Sequence, residues 1–140
     1  MNAVGGRLGG RQIYGPGFIC NLLLVRQEFI EKQPEVVRDL VQGAVRSGLW
    51  ARKNSAEAAE IASRYWGQPV DLVKYALKTP EDRIEFDKYM PIEAELQKMA
   101  DLMVRFKLIE TSVITGLVED RFAREANLEG IGGVDSILAD

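Results

Sequence analysis

One apolar run of strand length, Phe18-Ile-Cys-Asn-Leu-Leu-Leu-Val25, precedes a chain whose remaining apolar residues recur at helical spacing. The run is bounded by Gly15-Pro16-Gly17 and by Arg26-Gln27-Glu28, and its length suits a buried strand better than a helix. A lone strand cannot satisfy its own backbone donors and acceptors, so it needs a partner from residues 1–17 or from another chain. A loop, one strand and then only helices is the order expected at the tail of a larger alternating fold whose sheet is built earlier. The chain itself is expected to be predominantly α-helical, with one or two short strands.

Three segments follow from this. Residues 1–17 hold six of the 13 glycines and read as a loop or linker with a possible strand. Residues 18–123 form the folded part, and residues 124–140 are a glycine-containing tail. Within the folded part, Arg26–Gln33 forms a short helix and Pro34 opens a long one, because proline at the first helical position gives up a donor that had no partner anyway. Its apolar positions, Val37, Leu40, Val41, Ala44 and Val45, predict a core-facing side with Leu40 and Val41 buried. Asn54 and Glu57 have the spacing of a capping pair for a helix over 55–66 that ends at Gly67. Pro69 and Pro91 open two more helices, the second with a stripe of Leu96, Met99, Ala100, Met103 and Val104. A last helical segment includes Leu117, Val118, Arg121 and Phe122.

Composition narrows the function. The 18 basic and 21 acidic residues nearly balance, and the basic ones are scattered, so no stripe could neutralise a run of phosphates and nucleic acid is not an expected partner. A chain with no histidine and one cysteine lacks the commonest general base, the usual hydrolase triads and thiolate metal clusters. No enzyme, cofactor or metal is expected. The acidic run Glu81, Asp82, Glu85 and Asp87 lacks the glycine and terminal glutamate of a calcium loop and reads as a solvated turn. The longest unbroken apolar stretch, Leu22–Val25, is far below the roughly 18 residues that cross a bilayer. The amino terminus has no apolar core of a secretory signal.

The segment from Cys20-Asn-Leu-Leu-Leu-Val through Phe29 to Pro34-Glu-Val-Val37 resembles the nitrate, sulfonate, taurine and bicarbonate family of solute-binding proteins that serve ABC importers. Leu49-Trp50, the Ala- and Glu-rich stretch Ser55 to Ala62, Tyr65-Trp-Gly-Gln68, Tyr75-Ala-Leu-Lys-Thr-Pro80, Met103-Val-Arg-Phe-Lys-Leu-Ile109 and Leu117-Val-Glu-Asp-Arg-Phe-Ala123 are similar to it as well. The resemblance implies an α/β parent fold, a two-lobed clamp of the type II periplasmic binding-protein kind, of which this chain supplies a carboxy-terminal part. It also implies a small-molecule ligand in the full-length parent, such as nitrate, bicarbonate, a sulfonate or taurine. A membrane permease would be the partner and the location would be extracytoplasmic.

In such a clamp a desolvated anion is held by backbone N–H groups at turns and helix amino termini. The turn Tyr14-Gly-Pro-Gly-Phe-Ile-Cys20 is the candidate here, with Gly15, Gly17, Phe18, Cys20 and Asn21 as candidate ligand-binding residues. The same turn also serves as a tight entry into the strand. Trp50, Tyr65 and Trp66 either stack on a planar ligand or belong to the core. Two other readings stay open: a self-standing helical interaction module, and a pyrimidine-biosynthesis relative of the same clamp, the latter disfavoured by the missing histidine. Alone, the chain is expected to form homo-oligomers near Phe18–Val25 and to bind no small anion tightly, because half the cleft is missing.

Overall fold

The structure is a computed structural model and is described for residues 19, 21–78 and 86–132. Six helices occur among these residues: α1 (Gln27–Lys32), α2 (Pro34–Lys53), α3 (Ser55–Trp66), α4 (Val70–Lys78), α5 (Glu93–Arg105) and α6 (Arg121–Arg124). They fall into two compact units, one of Gln27–Tyr89 with Arg121–Asp140 and the other of Met1–Arg26 with Met90–Asp120.

In the first unit the long helix α2 begins at Pro34, as proline chemistry requires, and packs against α1, α3 and α6. Its buried positions are Val37, Val45 and Trp50, at 1, 4 and 4% exposure, joined by Ile30 of α1 and by Phe122 and Ala123 of α6. Leu40, expected in the core, is 49% exposed, and Val41, also expected there, is half-buried. The apolar residues of α2 cover more of its circumference than its neighbours do, and Leu40 lies about 100° around the helix from the Val37–Val41–Val45 face, at 100° per residue. Tyr65 and Trp66 are likewise exposed, at 85 and 59%.

Chain following α6 is fastened to the polar flank of α2. Arg46 Nη1 donates to the carbonyls of Asn127 (2.9 Å) and Glu129 (2.8 Å), the Asn127 N–H donates to Gln42 Oε1 at 3.2 Å, and Arg38 lies 3.9 Å from Glu125. Two residues beyond Arg46, Gly48 is required by a close approach: a Cβ there would sit 2.8 Å from the carbonyl oxygen of Phe86.

Asn54 separates α2 from α3, but not as a capping pair with Glu57. Its side chain makes no bond to the first turn of α3; Nδ2 instead donates back to the Trp50 carbonyl at 3.1 Å. The last carbonyls of α2 lack intrahelical partners too, and Asn54 serves that end. Helix α3 then stops at Gly67, whose φ of 61° is left-handed. The Gln68 N–H bonds the Ser63 carbonyl at 3.2 Å, and the Ser63 hydroxyl returns a 2.6 Å bond to the Gln68 carbonyl. Helix α4 packs on α3 through Val73 and Ala59, with Lys74 3.2 Å from Glu60.

In the second unit α5 ends in the same kind of cap on a less suited residue. Lys107 has φ 58°, its N–H bonds the Val104 carbonyl at 2.9 Å, and the Leu108 N–H bonds the Met103 carbonyl at 2.8 Å. Residues 21–26 carry no regular secondary structure, and Leu22, Leu23 and Leu24 are 51, 52 and 79% exposed. No strand occurs among the described residues, so the run expected as a strand has no ladder partner there. Phe18 and Cys20 lie outside the described residues. The last helical segment is shorter than its sequence pattern suggests: residues 117–120 are not helical and Leu117 is 63% exposed. No helix among the described residues is long and apolar enough to cross a membrane.

Candidate functional site

The second unit contains an apolar groove of about 330 Å³. One wall is the stripe of α5 that the sequence marks as apolar, Leu96, Met99, Ala100 and Met103. Helical spacing puts these four side chains on one side of the helix. The rest of the lining comes from the loop that returns from the α5 cap, running from Ile109 through Ile114 to Leu117, and from Ile19 and Leu22. Ala100 and Ile114, at 8 and 7% exposure, form the floor, while Val113 and Leu117, at 80 and 63%, stand at the rim.

The loop wall is set by hydrogen bonds rather than by regular structure. Gln97 Nε2 donates both to Asp101 Oδ1 and to the Ser112 carbonyl, each at 2.8 Å, and so ties the loop to α5 across one helical turn. The Gln97 amide, and after it the Ser112 hydroxyl, hold the Asp101 carboxyl below its ordinary pKa, since both donate to the ionised form. Beyond Ser112 the chain turns at Thr115-Gly116: Gly116 has φ 77°, and the Leu117 N–H closes on the Ile114 carbonyl at 2.9 Å. Among the described residues, Thr111 and Ser112 alone bring side-chain hydroxyls to the lining, and no charged residue among them lines it. A surface of this kind takes an aliphatic group and offers little to an isolated anion. A larger, more open hollow of about 540 Å³ is lined by Val104, Lys107, Leu108, Ile109 and Glu110 around the α5 cap. There one cation and one carboxylate stand together, with no excess of positive charge.

Of the residues expected to hold a ligand, Gly15, Gly17, Phe18 and Cys20 lie outside the described residues, and Asn21 is exposed. Ile19 and Leu22, which flank Cys20 and Asn21, do line the groove. The expectation named neither Ile19 nor Leu22, and it did not include the loop over 109–117, whose apolar residues have neither helical nor strand period. The clustering of Ile109, Val113, Ile114 and Leu117 was the available signal. Among the described residues no group of three or more His, Cys, Asp or Glu side chains could hold a metal ion, and Asp87 instead lies 3.8 Å from Arg52. Glu81, Asp82 and Glu85 lie outside the described residues.

Comparison with known proteins gives one informative likeness. The chain is 27% identical over 124 residues to a protein of Bacillus subtilis (strain 168) named as an aliphatic sulfonates-binding protein. The aligned part is 88% of this chain and 36% of that relative, so the chain spans little more than a third of the relative's length. No family model and no solved structure matches. The likeness is to a protein named for binding.

Proposed function

We propose that this chain is a carboxy-terminal part of a solute-binding protein for small organic anions, and that the groove along α5 receives the aliphatic portion of the solute. The observation that carries the reading is the character of that groove: among the described residues its lining is apolar along its length, touched by two hydroxyls and free of charge. It favours an alkyl sulfonate over nitrate or bicarbonate, which have no apolar part to bury. The relative's name points to the same chemical class. An α/β clamp as the parent fold, a membrane permease as the partner and an extracytoplasmic location belong to the same proposal.

In this reading the anionic head is held by backbone donors of the segment before Leu22, where Gly15, Gly17, Phe18, Cys20 and Asn21 were expected to act, together with the remainder of a longer protein. The chain by itself then binds weakly, because it supplies the surface for the tail and only part of the cradle for the head. Calorimetric titration of the chain with hexanesulfonate tests this. Binding in the millimolar range is expected for the parent sequence, with a loss of more than tenfold when Val113→Glu puts a charge at the exposed rim, where the fold tolerates it. Equal affinities for the two proteins would remove the groove from the site, and nitrate binding more tightly than hexanesulfonate would remove the solute class.

A further inference from the structure

One face of α2 has no partner among the described residues, and its side chains complement themselves. Val36, Leu40, Gly43 and Ser47 recur at four-three-four spacing, the interval that keeps one stripe of a helix against a partner helix. Val36 and Leu40 are 48 and 49% exposed, Ser47 is exposed, and nothing lies within 4 Å of where a Gly43 side chain would begin. The stripe is bulky in its amino-terminal half and small in its carboxy-terminal half. We propose that it is the contact between two copies of this chain, packed as an antiparallel pair of α2 helices.

The order of residues fixes that geometry. Turning a second copy end for end about a point between Val41 and Gln42 sets Leu40 over Gly43 of the other copy and Val36 over Ser47. Each large side chain then meets a hollow, and each hollow is filled. A two-fold contact must be self-complementary in this way, since residue i meets j and j meets i. The same rotation places like flanks of the two helices together, so that Asp39 of one copy comes within one turn of Arg46 of the other. Arg46 is already fixed in place by its bonds to the Asn127 and Glu129 carbonyls, and it presents a positive flank where the other copy presents an exposed carboxylate. A stripe of about three turns buries an area at the low end for specific association, so the dimer is expected to be a weak one.

Sedimentation equilibrium of the full chain, from low micromolar to near-millimolar concentration, tests the proposal. The weight-average mass is expected to rise from 15.6 kDa toward twice that value. Gly43→Leu fills the hollow at a position with open space around it, and is expected to keep the helical circular dichroism of the parent while weakening association more than tenfold. Asp39→Lys is expected to weaken it at low salt and less so at high salt. Leu24→Ser, on the exposed apolar segment of the other unit, is expected to change nothing. A mass that stays at 15.6 kDa throughout would overturn the proposal. So would a Gly43→Leu protein that associates as well as the parent, and a loss of association in Leu24→Ser would move the contact to residues 21–25.

Discussion

Two glycines of one helix should respond in opposite directions to the same substitution. Gly43 and Gly48 both lie inside α2, where alanine is intrinsically favoured over glycine by about 1 kcal/mol. At Gly43 a new methyl group meets open space, whereas at Gly48 it meets the Phe86 carbonyl oxygen at 2.8 Å. That neighbour is backbone, so relief requires moving the chain at residue 86 rather than rotating a side chain, at a cost of about 1–3 kcal/mol as for other overpacked sites. Gly43→Ala should therefore stabilise the protein by about 1 kcal/mol, while the gain is cancelled or reversed in Gly48→Ala. The difference between the variants, about 1–3 kcal/mol, is the close approach itself. With a urea slope of about 2 kcal/mol/M the midpoints separate by about 1 M. Urea unfolding followed by circular dichroism, at concentrations below the association range, reads both values. Equal stabilisation by the two alanines would show that the chain at Phe86 does not pass over α2 at Gly48.

The two left-handed helix ends should also diverge. Gly67→Ala, at φ 61°, is expected to cost about 1 kcal/mol, and Lys107→Gly, at φ 58°, to add about as much, both read as shifts of the unfolding midpoint. The Asp101 carboxyl, lowered by donors from Gln97 and Ser112, is expected to titrate below the ordinary carboxylate range in a carbon-detected NMR titration. Its folded pKa lies below its unfolded one, so its contribution to holding the loop over 111–114 is present above the unfolded value and is lost as pH falls through the folded value. Titration at the ordinary value would contradict the bonding described at Gln97. Gln97→Ala, which removes both 2.8 Å bonds, should raise the Asp101 pKa toward that ordinary value, with the Ser112 hydroxyl still lowering it, and weaken hexanesulfonate binding severalfold.

Helix starts and stops were legible at Pro34 and Gly67, whereas Pro91, expected to open α5, lies outside it, with Ile92 as the cap and Glu93 as the first helical residue. Pro34 opens α2 and Gly67 closes α3 because ring geometry and the absence of a Cβ leave few alternatives. Depth of burial was less legible. Val36, Val37, Leu40 and Val45 are equally apolar in sequence, and which of them is covered depends on where α6 and the chain after it lie, which no periodicity in α2 records. Asn54 shows the same limit for polar groups: one amide between two helices can serve either, and only the three-dimensional path decides for Trp50. At the candidate site the α5 wall was readable from Leu96 to Met103. The loop wall depends on two bonds from Gln97, a residue with no distinctive pattern.

The proposed tail-binding groove makes a quantitative demand on a homologous series of ligands. Each methylene removed from water contributes about 0.8 kcal/mol, close to fourfold in affinity. Calorimetry of the chain with methane-, propane- and hexanesulfonate should therefore show affinity rising by up to about fourfold per carbon and levelling off once the groove is filled, with the slope lost in Val113→Glu. Affinity that does not change with chain length would mean that the groove along α5 holds no part of the solute.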